Sequence, residues 1–249
     1  MSDSNSQSDA IIHIYGLKFG WPNSDTTVLD IEHLHQKRGE KIFLRGPSGS
    51  GKTTLLSLIA AVMMPQAGNV CINGINTSKL KNSQRDTFRS DNIGFIFQQF
   101  NLLPFLSVID NVSLPCRFSK TRLQRSKDRG GSVAEECQRL LEAMQLPLDF
   151  ESKSSVNELS VGQQQRVAAA RALIGRPPLI IADEPTSALD SNTRSAFIQL
   201  LFSEVESAGS SLLFVSHDDS LASLFDRRIE LAEINKSDVM LSLQSEFTC

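Results

Sequence analysis

Nine consecutive residues in the first part of the chain have the types and spacing that hold the phosphates of a nucleotide. They match the pattern GxxxxGK followed by Ser or Thr, and they read Gly46-Pro47-Ser48-Gly49-Ser50-Gly51-Lys52-Thr53-Thr54. Glycines let such a loop fold tightly, and its backbone N–H groups and the helix that follows bind negative charge. We predict that all nine contact a nucleotide, that Lys52 bridges its β- and γ-phosphates and that Thr53 gives its hydroxyl to Mg²⁺. The alternative is a Gly/Ser-rich turn that binds no ligand.

Two adjacent acids further along the chain complete the chemistry of such a site. Asp183 and Glu184 directly follow the apolar run Leu179-Ile180-Ile181-Ala182, which is typical of a buried strand. A magnesium–phosphate site needs a carboxylate at the end of a neighbouring strand, so we predict that Asp183 coordinates the metal. Glu184 is predicted to orient or deprotonate the attacking water. The alternative is a solvated turn at the edge of a sheet.

The elements that must position these residues alternate between strand-like and helix-like segments. This alternation predicts an α/β fold with a mostly parallel sheet. The predicted strands are Ala10–Tyr15, Val28–His33, Lys41–Arg45, Ile93–Phe97, Leu179–Asp183, Ser211–Ser216 and a closing pair, Arg227–Ala232 with Val239–Leu243. The predicted helices are Gly51–Val62, Val133–Gln145, Ser160–Ile174 and Ser191–Ser207.

The length of 249 residues suits one α/β core that carries an inserted subdomain. We predict that residues 1–9 form a disordered tail and that residues 10–249 form a single domain. Residues 10–97 and 176–249 are predicted to form its core with an N-terminal β subdomain. Residues 98–175 are predicted to form a helical insertion, which ends near the helix-terminating pair Pro177-Pro178.

Composition narrows the classes of protein. The formal net charge of -3 argues against a general nucleic-acid binder, which usually has a basic excess. The four cysteines are widely spaced, which predicts reduced thiols in the cytosol. No stretch approaches the roughly 20 apolar residues that span a bilayer, and the polar opening lacks the features of a secretory signal. We therefore expect a cytoplasmic protein that forms no pore alone.

A further motif distinguishes among the many proteins with a phosphate loop. The segment Leu159-Ser160-Val161-Gly162-Gln163, followed by Gln164, Gln165 and Arg166, resembles the LSGGQ signature of ABC ATPases. In that family the signature of one subunit closes over the ATP that the other subunit holds. The resemblance therefore implies an ATP-sandwich homodimer in which Ser160, Gly162 and Gln163 contact the partner's nucleotide. Taken alone, the segment also suits a helix capped by Ser160 with a polar face.

Three more positions resemble functional residues of the same family. Gln98 is similar to the glutamine that touches Mg²⁺ or water and senses the membrane partner. Ser187-Ala188-Leu189-Asp190 resembles the loop that carries its aspartate, here Asp190, across the dimer interface. His217 is similar to the histidine that contacts the γ-phosphate. Without the other motifs, His217 would be interpreted as a polar residue at the end of a strand.

An aromatic residue near the N-terminus resembles the family's adenine-stacking position. Trp21 precedes Pro22 as the family's tyrosine often does, and any aromatic ring offers a π-face to a base. We predict that Trp21 stacks on adenine, with Phe19 as the second candidate. Core packing is the alternative for either ring.

The signature departs from the common pattern at Val161, where the family usually has glycine, but Gly162 is retained. In the family this second glycine comes closest to the γ-phosphate, so we expect ATP hydrolysis to survive. The segments IGFIFQQFNLLP and ADEPTSALD are similar to ATPases that pair with lipoprotein-release and macrolide-export permeases. The resemblance thus implies a peripheral protein at the inner face of the cell membrane, held there by an integral membrane permease. ADEPTSALD also leaves relatives in amino-acid import open.

Other functions fit parts of the sequence. They are an ABC ATPase in DNA repair or translation, a phosphate-loop kinase for a small acceptor, and a module that binds ATP to signal through a membrane protein. A basic stretch from Arg117 to Arg129 is also unexplained by the motifs. We interpret it as a solvated, mobile loop, with a lipid-facing patch as the alternative.

Overall fold

The computed structural model describes residues 9–146 and 155–246, which divide into two compact units. The first unit comprises the described residues up to Arg89 and from Leu213 onward, and the second spans Ser90–Leu212. Most of the predicted tail, residues 1–8, lies outside the described residues. The predicted helical insertion, residues 98–175, falls within the range of the second unit, and its boundaries stay a prediction.

An antiparallel sheet forms part of the first unit, in the strand order β2-β1-β4-β5. Its strands are β1 (Ala10–Gly20), β2 (Thr27–Lys37), β4 (Ala67–Ile72) and β5 (Ile75–Asn76). Ile12, Ile14 and Leu17 of β1 are completely buried. β1 runs five residues beyond its predicted end because Lys18 pairs with Asp30 and Phe19 with Leu29 of β2. The hairpin therefore reaches as far as the turn that holds Trp21.

The first unit also contains a parallel strand pair and the helix of the phosphate loop. β3 (Lys41–Arg45) pairs with β9 (Arg227–Glu230), and the loop after β3 leads into α1 (Lys52–Ile59). The strand β8 (Ser211–Val215) begins in the second unit and ends in the first, where it lies next to β3.

The predicted closing strand Val239–Leu243 is wrong. The chain instead forms α8 (Leu231–Ile234) directly after β9 and then α9 (Asp238–Glu246). Ser237 begins α9, since its hydroxyl accepts the N–H of Met240 at 3.4 Å and its carbonyl accepts the N–H of Leu241 at 3.1 Å. A short apolar run has no period that separates a strand from a helix, so the pattern did not reveal this cap.

The second unit pairs two parallel strands, β6 (Ile93–Ile96) and β7 (Leu179–Asp183). The first four residues of β7 are fully buried, as expected of a strand that is covered on both faces. Helices make up most of the rest of this unit. They are α3 (Val108–Phe118), α4 (Lys120–Gly130), α5 (Val133–Ala143), α6 (Val161–Leu173) and α7 (Ser191–Ala208), and α2 (Asn82–Asn92) enters from the first unit.

Serine hydroxyls determine where four of these helices start. The hydroxyls of Ser107, Ser119, Ser132 and Ser160 each accept the N–H three residues ahead, at 2.9 to 3.3 Å. Such an N-cap satisfies one of the N–H groups that a first turn leaves without a helical partner. Successive caps therefore divide the chain between residues 107 and 143 into three helices of 11 residues each.

The prediction of a mobile loop between Arg117 and Arg129 is wrong, because most of this segment is α4. Arg122 is only 2% exposed, and its guanidinium donates to the carbonyl oxygens of Ile174 and Ala172 at 2.7 and 2.6 Å. Burial lowers the pKa of Arg122 to about 10. A polar residue thus forms the buried face of α4, so no apolar stripe marked the helix in the sequence.

Most of the basic side chains in the same segment have hydrogen-bond partners in the structure. Arg117 pairs with Asp110 at 2.7 Å, Arg129 donates to the hydroxyl of Ser207, and Arg125 donates to a backbone carbonyl. With Arg122, four of the six basic side chains thus have partners inside the second unit. A hydrogen bond to a neutral carbonyl or hydroxyl leaves the charge of the donor in place, so the lipid-facing alternative stays a hypothesis. In residues 9–146 and 155–246, no helix is both long and apolar enough to cross a bilayer.

Candidate functional site

The phosphate loop has the backbone conformation that its glycines predict. Gly49 and Gly51 adopt positive φ angles of 77° and 95°, which side chains other than glycine rarely allow. A Cβ on Gly46 would lie 2.8 Å from the hydroxyl of Ser50. The Nζ of Lys52 lies 2.7 Å from the carbonyl oxygen of Gly46 and 2.8 Å from that of Pro47. The ammonium group is therefore held against the loop.

The groups around this loop fit a polyphosphate. The helix α1 is capped by Gly51, which has no side chain, and its first turn contains no acidic residue. The N–H groups of a first helical turn have no partner within the helix and lie at the positive end of its dipole, which suits an anion. The hydroxyl of Ser50 is buried and has no hydrogen-bond partner among the described residues. Ser50, Lys52 and the helix N-terminus together provide donors and positive charge, with no anion competing within the first turn.

Trp21 is available to a ligand, whereas Phe19 is not. Trp21 directly follows β1 and is 48% exposed, whereas Phe19 is 5% exposed, and the two rings meet edge to face with centroids 5.4 Å apart. At the other end of the same turn, Val28 and Leu29 of β2 lie against Gly51, since a Cβ there would be 3.3 and 3.0 Å from their side chains. The hairpin that carries Trp21 is thus anchored beside the phosphate loop. Its stacking on adenine stays a prediction.

Trp21→Ala is expected to weaken ATP binding about tenfold, because stacking a base on an aromatic ring is worth about 1–3 kcal/mol. Binding of inorganic tripolyphosphate, which has no base, should be unchanged in the same calorimetric titration. Tyr15→Ala removes a different exposed aromatic ring, which lies on β1 itself, and is the matched control. An equal loss of affinity for both ligands would show that Trp21 acts on the fold and not on the base.

His217 follows the end of β8 in the first unit and is exposed. The N–H of Ser216 donates to the carbonyl of Leu44 at 3.3 Å, so the end of β8 lies beside the end of β3. Because β3 leads into the phosphate loop, His217 and that loop leave the same edge of the sheet. This placement agrees with the predicted contact to a γ-phosphate, which stays a prediction.

Three predicted residues of the second unit meet at one sheet edge. Ile96 of β6 pairs with Ala182 of β7, so these parallel strands end side by side. Gln98 lies two residues after the end of β6, Asp183 is the last residue of β7, and Glu184 follows it. In parallel sheets this is the edge where ligands bind. Gln98 is exposed and the two acids are partly exposed. The structure thus places the predicted metal ligands of this unit at the same edge of the sheet as the predicted catalytic carboxylate.

Glu184 has a backbone conformation that points to function. Its φ angle is 46°, in the left-handed region that few non-glycine residues occupy. Such strain costs about 1–3 kcal/mol and persists where the surroundings hold it, commonly at active sites. The conformation turns the chain sharply between Asp183 and Pro185. The two acids are predicted to have different roles, which stay predictions.

The signature begins with a capping box, in which the side chains of two residues each bond to the backbone of the other. The hydroxyl of Ser160 accepts the N–H of Gln163 at 3.3 Å, and the amide oxygen of Gln163 accepts the N–H of Ser160 at 2.9 Å. This capping box orders the start of α6 and uses both side chains within the helix. The outward-facing N–H groups of the first turn remain the feature that suits an anion.

Neither the backbone nor the packing of the chain requires glycine at position 162. Gly162 lies in the first turn of α6, and a Cβ there would meet only Thr193 and Leu189, at 3.8 and 3.9 Å, which is ordinary contact distance. Asp190 lies nearby and caps the start of α7, since its carboxylate accepts the N–H and hydroxyl of Thr193 at 3.0 and 2.7 Å. The signature and the Asp190 loop thus adjoin one another.

Sequence reasoning missed Gln165 and Arg171 of α6. Their side chains bond to the loops that follow Glu184 and Gln98. Both are buried polar side chains. Arg171 stands out in the sequence because alanines flank it, whereas Gln165 lies among other polar residues and gives no such signal.

Comparisons with known proteins agree with the motifs. The family model described as "ABC transporter" matches residues 29–187, more than half of the chain. The uncharacterized ABC transporter ATP-binding protein MJ0796 of Methanocaldococcus jannaschii is 43% identical over 201 residues, which cover 81% of this chain and 83% of that protein. LolD, the lipoprotein-releasing system ATP-binding protein of Bacteroides fragilis, is 36% identical over 228 residues, which cover 90% of this chain and 99% of that protein.

Two further matches are a longer protein that includes a permease and a solved structure. The macrolide export ATP-binding/permease protein MacB of Bdellovibrio bacteriovorus is 36% identical over 90% of this chain, which spans 33% of that protein. A dimeric structure of MJ0796 in a post-hydrolysis state, bound to ADP and Pi, matches with a TM-score of 0.75 and 37% identity, covering 88% of this chain and 93% of that one. The chain therefore belongs to the ABC transporter family, as an ATP-hydrolysing cassette of the LolD and MacB type.

Proposed function

We propose that this protein hydrolyses Mg-ATP as a head-to-tail homodimer and thereby drives a separate permease. The single observation that carries the proposal is the signature helix, which presents an ordered N-terminal turn and a glycine that the chain itself does not require. A glycine is needed there if a second molecule approaches closely. The dimeric structures of MJ0796, one of them bound to ADP and Pi, support that arrangement.

The residues then divide into two sets around each nucleotide. One copy provides the phosphate loop, His217 and Trp21 for the nucleotide, Thr53, Gln98 and Asp183 for Mg²⁺, and Glu184 for the attacking water. The second copy provides Ser160, Gly162, Gln163 and Asp190. Each copy thus offers two half-sites, and two copies make two complete sites.

The chain's own groups perform most of the chemistry. Lys52 and the N–H groups of the loop stabilise the charge that develops on the phosphate oxygens, which is the main task in phosphoryl transfer. Glu184 holds the water in line and accepts its proton. Mg²⁺, when bound by Thr53, Gln98 and Asp183, would neutralise negative charge on the phosphates.

The permease proposal is supported by the names of the relatives. LolD is the ATP-binding protein of a lipoprotein-releasing system, and MacB joins an ATP-binding part and a permease in one protein. We infer that this chain docks on a membrane partner of that type and so resides at the inner face of the cell membrane. The LolD and MacB similarities favour this type over an amino-acid importer and over a non-transport ABC ATPase.

Gly162→Asp tests the shared site. We expect the variant to bind ATP normally but to lose at least about a hundredfold in hydrolysis, because a carboxylate brought against a partner's phosphates costs several kcal/mol. The fold should survive, since the site has room for a side chain and acidic residues are favourable in the first turn of a helix. Steady-state hydrolysis, ATP calorimetry and thermal melting give the three readouts.

Ser203→Asp is the matched control, because it adds the same charge to an exposed position of α7. It should hydrolyse ATP like the unmodified protein. If Gly162→Asp also hydrolyses ATP at the normal rate, the signature does not approach a nucleotide and the head-to-tail dimer is wrong.

A further inference from the structure

The helix α6 makes two buried polar contacts with loops that carry predicted catalytic residues. Gln165 is completely buried, and its amide nitrogen donates to the carbonyl oxygen of Pro185 at 2.7 Å. Arg171 is 8% exposed, and its guanidinium donates to the carbonyl oxygens of Asn101, at 2.6 Å, and Phe100. These contacts lie at the middle and the end of the helix that begins with the signature.

The contact of Gln165 holds the turn at Glu184. Glu184 has its left-handed φ of 46° immediately before Pro185, so the Pro185 carbonyl marks the end of the sharp turn. The other amide atom of Gln165, its oxygen, is buried without a hydrogen-bond partner among the described residues. A buried amide with one atom unsatisfied is costly for stability, and an apolar side chain of equal size would fill the same space. The bond to Pro185 is thus the specific role of this side chain.

The contact of Arg171 holds the loop that begins at Gln98. Phe100 and Asn101 adopt successive positive φ angles of 59° and 49°, which bring their carbonyl groups to the same guanidinium. Burial lowers the pKa of Arg171, and the partners that the structure shows for it are carbonyl oxygens. The planar guanidinium presents its N–H groups to the two carbonyls in a fixed fork, a geometry that the compact ammonium of a lysine does not reproduce.

The far end of α6 is fixed as well. The buried guanidinium of Arg122 donates to the carbonyls of Ala172 and Ile174, where the helix ends, and a cation there complements the helix dipole. The capping box of Ser160 and Gln163 fixes the near end. An ordered helix with both ends held moves as one body, so a displacement of the signature reaches Gln165 and Arg171.

We propose that Gln165 and Arg171 are positioning residues that couple the two ATP sites of the dimer. This inference rests on the proposed head-to-tail dimer. In that dimer α6 presents its signature to the nucleotide of the partner, while Gln165 and Arg171 hold Glu184 and Gln98 for the nucleotide of their own chain. ATP in one site therefore orders the catalytic residues of the other site, and hydrolysis is cooperative.

The test compares Gln165→Met and Arg171→Lys with the unmodified protein over a range of ATP concentrations. Both variants should lower kcat about tenfold, because Glu184 and Gln98 are then held less accurately and small displacements of catalytic groups slow a reaction strongly. They should also reduce the Hill coefficient of hydrolysis toward one. The fluorescence of the single tryptophan, Trp21, reports the Kd of ATP. This Kd should stay within about twofold of that of the unmodified protein, because the two sites lose their coupling but each keeps its affinity for ATP.

Arg166→Lys is the matched control. Arg166 lies on the same helix and donates to two backbone carbonyls, those of Met144 and Gln145, which belong to no predicted site. If this variant loses cooperativity as much as Arg171→Lys does, loosening of α6 explains the result and the inference fails.

The remaining outcomes separate the inference from the function on which it rests. If the unmodified protein neither dimerises in ATP nor hydrolyses it, the proposed function fails. If it dimerises but hydrolyses ATP without cooperativity, or if Gln165→Met and Arg171→Lys retain a normal kcat and Hill coefficient, only the coupling role is overturned.

Discussion

Glu184→Gln is expected to bind ATP and to lower its hydrolysis by about 10²- to 10⁴-fold, the usual contribution of a general base. The amide keeps the size and hydrogen-bonding reach of the carboxylate but cannot accept the proton of the attacking water. ATP therefore stays intact between two copies. The variant should elute as a dimer from a sizing column in ATP, and as a monomer without nucleotide.

The Glu184→Gln substitution should leave the turn at residue 184 unchanged. The unusual φ belongs to the backbone, and glutamine is as long as glutamate, so the local conformation has no reason to change. Glu142→Gln, at an exposed position of α5, removes an equal charge from the same unit and is the matched control. A Glu184→Gln protein that remained monomeric in ATP would contradict the role of ATP in joining two copies.

Lys52→Ala is expected to raise the Kd of ATP about a hundredfold. Hydrogen bonds to charged groups are worth about 1.5–3 kcal/mol each, and Lys52 is predicted to contact two phosphates. The Nζ already lies within 2.7 and 2.8 Å of two loop carbonyls, so its charge is in place before a ligand arrives. Calorimetric titration with ATP measures the change.

A control variant and a second measurement show whether Lys52 acts on the nucleotide. Lys81→Ala removes an exposed lysine from the first unit and should leave the Kd of ATP unchanged. Lys52→Ala should also fail to dimerise in ATP, because the shared nucleotide is missing. An ATP affinity within twofold of the unmodified protein would mean that the loop holds something other than a nucleotide.

The sequence was sufficient for the elements whose residues follow a strong local rule. β3, β6 and β7 lie where their apolar runs predicted, and α6 begins one residue after its serine cap. The phosphate loop could be predicted because its glycines are needed for backbone geometry, which sequence expresses directly. The position of Asp183 and Glu184 at the end of β7 could be predicted because an apolar run of four residues before two acids is typical of a buried strand that ends there, and their roles stay predictions.

The sequence was insufficient where tertiary contacts decide. α4 buries Arg122 against backbone carbonyls of α6 and β6, and no pattern within residues 117–129 reveals those partners. α9 depends on a cap at Ser237 beside an apolar run that suits a strand equally well. The same limit applies to the candidate site, since the roles of Gln165 and Arg171 depend on carbonyl groups that lie 20 and 70 residues away along the chain.

The capping box at Ser160 and Gln163 has a consequence for the free energy with which two molecules associate in the proposed dimer. Its two side chains are already confined to one rotamer each by mutual bonds to the backbone. An approaching partner therefore does not have to restrict them, and association avoids an entropic penalty of about 0.5–1.5 kcal/mol for each side chain. In the proposed dimer this end of α6 is therefore preorganised for its partner, and more of the contact energy contributes to association.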